Sequence, residues 1–277
     1  MSRSPIITLA QREISDALRN RWFVAYAGAF VALSVALALL IDSSAGYGGV
    51  SGFGRTSAGL INLVLFLAPL MGLTLGAQAL TSERERGTLS YILAQPVSLL
   101  DVFISKFIGL AIAVAAAIVT GFALATLTIS YLSGGKGMDI FLQLTGLTVL
   151  LALVALSIGY LISSLTHRTT TALGIAVVVW LALVMIGDLG LMGTAVMMKL
   201  SPSTLLAATI INPLESYRIA SINLLRDSLE LLGPSGLVAT DRFGTGTGWV
   251  LTGIMLLWVV VPLVIAYLSM ARKERAS

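Results

Sequence analysis

Six stretches of this chain run for about twenty residues without a charged side chain, and they constrain its fold more than any other feature. A helix rises about 1.5 Å per residue, so some ~20 apolar residues cross a hydrocarbon core of about 30 Å. The runs predict spans at about 22–41, 60–81, 107–132, 140–164, 171–191 and 249–270. Lipid offers no water to backbone amides and carbonyls, so each run must satisfy its own hydrogen bonds as a helix. Strands of a membrane barrel would alternate polar and apolar residues, and these runs do not. The expected fold is an all-α integral membrane protein, with residues 1–277 forming a single transmembrane domain.

Composition agrees. The chain is 57% hydrophobic and only 11% charged, against roughly 45–50% and ~25% for a soluble domain. So few charges could not clothe a water-facing surface. There is no cysteine and one histidine, His167, which excludes disulfides, thiolate chemistry and a Cys/His zinc site. Neither a catalytic residue nor a metal-ligand set is assigned. Lys and Arg are scattered through short loops, so no nucleic-acid groove is expected. With the N-terminus inside, eleven of the 17 basic residues fall in the inner segments, although the outer segments are longer. Both termini are therefore expected in the cytoplasm. The first run begins well into the chain and ends without a small-residue cleavage site, so it is expected to remain as a span.

Residues 4–20 precede the first span. On a helical wheel Ile6, Ile7, Leu9, Ala10, Ile14, Ala17 and Leu18 share one face, while Arg12, Ser15, Asp16 and Arg19 share the other. That pattern predicts an amphipathic helix in the membrane interface, in contact with lipid. Glu13 falls on the apolar face. Its expected partner is Arg84 or Arg86 of the next inner loop, because a buried charge needs one.

The first inner loop, 81–98, is the most informative polar segment. Gly87 allows a sharp turn out of the second span, and Thr88 can cap a new helix. Leu89, Ile92 and Leu93 put an apolar stripe on that short helix, and Pro96 ends it. Ser98 with Asp101 three residues on forms an N-cap signature for the next helix. Lys106 is expected to snorkel at the start of the third span. A short helix with an apolar face, bracketed by helix breakers, suits docking into a groove of a soluble partner.

The sequence Glu83-x-Glu85-x-Gly87-Thr88-Leu89-x-x-Ile92-Leu93-x-x-Pro96 resembles the loop signature of the type-2 ABC exporter permeases. The resemblance extends over nearly the whole chain in span order, and residues 163–174, with His167 and Arg168, fit the family's second inner loop. It implies a homodimer in the bacterial inner membrane, paired with a cytoplasmic dimer of ABC ATPases that holds ATP and Mg; no cofactor is implied in this chain. It also implies that Glu83, Glu85, Arg86, Gly87, Thr88, Leu89, Tyr91, Ile92, Leu93 and Pro96 serve ATPase coupling, with 4–20 as connecting helix. Within the family, residues 8–13, this loop and the run from Asn212 to Arg218 are similar to permeases that support copper-centre maturation of nitrous oxide reductase. That likeness implies a periplasmic accessory protein touching Asn212, Pro213, Tyr217 and Arg218 in an outer segment 188–248. An exporter of a drug, peptide or lipid is the rival reading.

Other features carry less. Gly49-Val50-Ser51-Gly52 copies the motif of intramembrane serine proteases, but His167 is expected on the opposite side of the bilayer, and the stretch is expected to be a loop. Met185, Met192, Met197 and Met198 are weak candidates for Cu(I), since methionine also fills helix interfaces. Asp188 is expected near the outer interface, solvated. Gly72 and Gly76 permit close helix contact within the chain or between copies, and Pro262 is expected to kink the last span. No Walker-type loop is present, so the nucleotide site must lie in another chain.

Overall fold

The computed structural model describes residues 5–43, 49–88, 98–133, 138–187, 211–224 and 247–276. Every secondary-structure element among them is a helix: α1 (Pro5–Arg19), α2 (Arg21–Ser43), α3 (Gly49–Ala79), α4 (Thr81–Glu85), α5 (Leu99–Ser133), α6 (Met138–Leu165), α7 (Thr169–Met185), α8 (Pro213–Leu224) and α9 (Thr247–Ala276). Five stretches among the described residues are long and apolar enough to cross a bilayer: Arg21–Leu39, Gly59–Glu85 (α3 continuing into α4), Leu99–Tyr131, Phe141–Leu165 and Gly248–Arg272. The sixth expected span corresponds to α7, which is apolar over 17 residues, Thr169–Met185. The rest of that span from residue 188 lies outside the described residues, as do residues 89–97 of the expected coupling loop. Gly49–Gly52 does not form a loop; it is the first turn of α3.

Helix α3 is the centre of the bundle and packs most closely on α6. The close approach is made by glycines. A Cβ on Gly72 would stand 2.6 Å from the Ala152 carbonyl oxygen, one on Gly76 would collide with the Leu156 carbonyl, and one on Gly159 with the Leu73 carbonyl. Small residues let two backbones touch where lipid offers no hydrophobic drive for association. The Gly72–Gly76 pair thus serves packing inside the chain. Pro69 interrupts the α3 ladder, and one turn away the Phe66 carbonyl accepts a hydrogen bond from Trp180 Nε1 of α7 at 3.1 Å. The two rings meet edge to face at 4.7 Å.

Around this centre, α2 and α5 pack side by side through Phe30 and Phe122, whose ring centroids are 5.9 Å apart. The outer faces of α2, α7 and α9 expose Leu33, Val178 and Val261 among others. Helices apolar on all sides fit a surrounding lipid phase. α1 crosses the end of the bundle and rests on α5. Its apolar arc divides in two: Ala10, Glu13 and Ala17 are buried, whereas Ile7 and Leu18 are exposed. One half of the arc meets protein and the other is left for lipid.

Candidate functional site

The charged residues that join helices gather at one end of the bundle, where α1, α4, the start of α5, the end of α6, the start of α7 and the end of α9 converge. Glu13 sits on the packed half of α1, above Gly109 of α5; a Cβ on that glycine would lie 2.6 Å from Glu13 Cβ and 2.7 Å from the Ala10 carbonyl oxygen. The contact brings the Glu13 carboxylate onto Lys106, the one charged residue of α5 past its first turn. Lys106 Nζ donates to Glu13 Oε1 at 2.5 Å and reaches Glu83 Oε1 of α4 at 2.9 Å. All three side chains are buried or nearly so. Burial raises the Glu13 carboxyl above its ordinary value, the Lys106 ammonium opposes that rise, and the charges of Glu83 and Asp16 add to it. Glu83 Oε2 is buried with no hydrogen-bond partner among the described residues.

Two expectations are corrected here. Glu13 pairs with Lys106, not with Arg84 or Arg86. Lys106 does not snorkel to water, because two carboxylates meet its ammonium inside the protein. A 430 Å³ cavity borders this triad, lined in part by Arg12, Asp16, Gln78 and Arg86. At the neighbouring break between α1 and α2, Asn20 Oδ1 accepts the Trp22 amide at 3.0 Å, and Asn20 Nδ2 donates to Gln78 of α3 at 3.4 Å.

A second cluster lies where α3 ends. The helix opens at Leu80, and the Leu80 and Thr81 amides donate to Ser163 Oγ of α6 at 2.9 and 3.0 Å. The next two charged residues after Glu83 then close the turn between α6 and α7. Arg84 donates to the Ser163 and Thr166 carbonyls at 3.1 and 2.6 Å, placing a cation on the C-terminal end of α6. Glu85 accepts the Thr169 amide at 2.9 Å and the Thr169 hydroxyl at 2.6 Å, placing an anion on the N-terminal end of α7. Each charge complements the dipole of the helix end it meets. The residue at the N-cap of α7, Arg168, makes no side-chain cap of its own. Ser164 and Ser269 hydroxyls, 2.9 Å apart, tie the end of α9 to the same place.

Beyond Glu85 the chain turns at Gly87, whose φ of +69° suits glycine, and the Thr88 hydroxyl donates to the Glu83 carbonyl at 3.3 Å. Arg86 and Gly87 are exposed, as are His167 and Arg168 across the joint. Leu89, Tyr91, Ile92, Leu93 and Pro96 lie outside the described residues. The chain resumes with the expected capping pair: Ser98 Oγ donates to Asp101 Oδ2 at 2.7 Å and accepts the Asp101 amide at 3.1 Å. Below the triad, Tyr160 donates to the Phe103 carbonyl at 3.1 Å, and Phe103 meets the rings of Tyr160 and Tyr267 edge to face.

The run from Asn212 to Arg218 lies toward the opposite end and turns inward. Asn212, Pro213 and Tyr217 are buried. Asn212 Nδ2 donates to the Leu183 carbonyl at 2.8 Å, its Oδ1 accepts the Leu214 amide at 3.0 Å, and the Tyr217 and Thr148 hydroxyls lie 3.0 Å apart. Arg218 pairs with Glu215 at 2.7 Å. Asn212 and Tyr217 fasten α8 to the bundle, and the Arg218–Glu215 pair lies within α8 itself. Met185 is exposed, whereas Asp188, Met192, Met197 and Met198 lie outside the described residues. Ser51 begins α3 and His167 follows α6 beside the other end of α3, so the protease pair is not assembled.

Sequence reasoning misses the roles of Lys106, Ser163 and Thr169, and gives Glu13 the wrong partner. Lys106 carries a signal: an isolated lysine inside a 35-residue apolar helix requires an acid nearby. The hydroxyls carry none, since their partners are some 80 positions away.

Most of the buried polar groups at this end join one helix to another, as in a bundle of several membrane spans. The chain belongs to the ABC-2 transporter family: the sequence model described as ABC-2 family transporter protein matches residues 7–275. It is similar to the probable ABC transporter permease protein NosY of Stutzerimonas stutzeri, with 31% identity over 271 residues, 96% of this chain and 97% of that one. It is also similar to the protein of the same name from Pseudomonas aeruginosa, with 33% identity over 226 residues, 79% of this chain and 82% of that one.

Proposed function

We propose that this chain is the membrane subunit of a transporter in which a NosF-like ATPase dimer drives copper-centre maturation of nitrous oxide reductase, together with a NosD-like periplasmic accessory protein. Two copies form the membrane part in a bacterial inner membrane, with both termini in the cytoplasm. ATP and Mg belong to the ATPase. The segment 81–98 receives the ATPase stroke, with Arg86, Gly87 and Thr88 leading to Leu89, Tyr91, Ile92, Leu93 and Pro96 as the docking residues, and Glu83 and Glu85 fixing the base of that loop. ATP binding favours one arrangement of the dimer and the membrane helices follow it.

The observation that carries this reading is the base of the loop. Between Leu80 and Glu85 the chain is bonded to α1 and α5 through the triad and to α6 and α7 through the Ser163, Arg84 and Glu85 contacts. A push on the loop therefore reaches four helices at once. The similarity to two NosY permeases over most of the chain directs the reading toward nitrous oxide reductase. Deleting the chain in its host and measuring copper content of the purified reductase tests it. Loss of copper, restored by the wild-type chain, is expected. A fully copper-loaded reductase in the deletion strain would leave an exporter of other cargo as the better reading.

A further inference from the structure

We infer that Arg84 and Glu85 are positioning residues that weld the second inner loop to the first, so that a stroke delivered only to the first loop swings α6 and α7 together. The proposal rests on the ATP-driven permease reading above but not on the identity of the cargo.

The two residues are adjacent in sequence, so their side chains share one rigid base in α4. One grips the last carbonyls of α6, the other the first amide of α7. The turn between them, 166–168, is therefore held from both ends by a dipeptide of a different loop. The Ser163 hydroxyl adds two bonds from the Leu80 and Thr81 amides, which makes the seam continuous from the end of α3 to the start of α7. The turn does not stabilise itself: Arg168 offers no side-chain cap, and the Thr166 hydroxyl bonds back to Ile162 within α6. A cap supplied from another loop, where a local serine or aspartate would suffice for stability, makes the position of α7 depend on the position of α4.

The chain has no cysteine, so thiols can be placed without background. The test uses the full chain reconstituted in vesicles with its ATPase, and reads ATP hydrolysis stimulated by the permease. With Glu85→Cys and Thr169→Cys, reduced, the complex forms and stimulation falls by roughly fivefold or more, the lower range of coupling between sites. Joining the two thiols with a short bis-thiosulfonate restores it, because the link is what matters. In a second variant, Glu85→Ala with Arg168→Asp, α7 receives a local cap; thermal stability returns and stimulation does not. Full stimulation in the reduced cysteine pair, no recovery on crosslinking, or recovery of stimulation in the locally capped variant would each overturn the proposal. If the wild-type chain leaves hydrolysis unchanged, the ATP-driven reading fails instead. The weld is then decided by hydrogen exchange: Glu85→Ala must deprotect the amides at 169–173, and unchanged protection refutes it.

Discussion

Glu13 and Lys106 are 93 positions apart, and their side chains meet at 2.5 Å beneath the N-terminal helix. The lysine also holds Glu83, so one ammonium fastens both α1 and the base of the first loop to α5. Removing it leaves two carboxylates facing each other inside the protein. Lys106→Met should destabilise the fold by about 3–5 kcal/mol, the range for breaking a buried pair. Adding Glu13→Gln and Glu83→Gln to it should recover most of that loss, since neutral groups of similar size carry no such penalty. Thermal unfolding in detergent measures both; a triple variant no better than Lys106→Met would contradict the account.

The same triad predicts a pH dependence. Burial outweighs the pull of Lys106 and raises the folded Glu13 carboxyl above its ordinary 4.5. A carboxyl raised on folding contributes stability that is whole below its unfolded value and is lost as pH rises through the folded one. Glu13→Gln keeps the neutral form at every pH. Its melting temperature relative to wild type should therefore climb as pH is raised from 4.5 toward neutrality. A difference that stays flat or falls would place the Glu13 carboxyl at or below its ordinary value.

The α3–α6 seam gives a sharper contrast. A methyl on Gly76 would collide with the Leu156 carbonyl and stand 2.8 Å from the Tyr160 amide nitrogen, both of them backbone atoms that cannot rotate away. Gly76→Ala and Gly159→Ala should each cost about 1–3 kcal/mol, as overpacking does. Gly146 and Gly253 are helical, and a methyl added to either would have nothing within 4 Å. Alanine there should be neutral or stabilising by up to ~1 kcal/mol, because glycine is the poorer helix former. Equal effects at all four positions would mean that helix propensity, not contact, governs them.

The elements that sequence reasoning finds and those it misses divide along physical lines. The spans are written in one dimension, as runs whose length matches the bilayer, and the described residues hold five stretches of that kind with α7 as a shorter sixth. The Ser98–Asp101 cap is legible because it closes over three residues. The amphipathic face of α1 is legible too, but not its division, because lipid and protein interior select the same apolar side chains. What cannot be read is pairing across the fold. Glu13 has three basic candidates in the segments that follow, and only the Gly109 contact selects Lys106. Likewise no sequence pattern gives the contacts of Asn212 and Tyr217 with Leu183 and Thr148 of the chain's own helices.

Asn212 offers a test of that inward placement. Its amide bridges the end of α7 and the start of α8. Replacement by Ala removes both bonds; the Leu183 carbonyl keeps the Ile186 amide, but the buried Leu214 amide loses its acceptor, at a cost of about 1–3 kcal/mol. Limited proteolysis should then cut within 211–224 at protease levels that spare the wild type. Unaltered protection would show that apolar contacts such as Ile219 with Leu251 hold α8 unaided.

Gly87 separates backbone geometry from crowding in the loop proposed to meet the ATPase. Its φ is +69°, and a Cβ there would meet nothing within 4 Å. Any substitution is therefore opposed only by the left-handed backbone conformation, which costs an ordinary L-residue about 1–2 kcal/mol. Asparagine tolerates that region best among the non-glycine residues and β-branched residues tolerate it least. Permease-stimulated ATP hydrolysis should then decline in the order glycine, Asn, Ala, Val at position 87, while the melting temperature of the bundle changes little because the site is exposed and distant from the core. A Val variant that stimulates as well as the Asn variant would show that the turn adapts. The left-handed turn would then not set the direction in which the loop leaves α4.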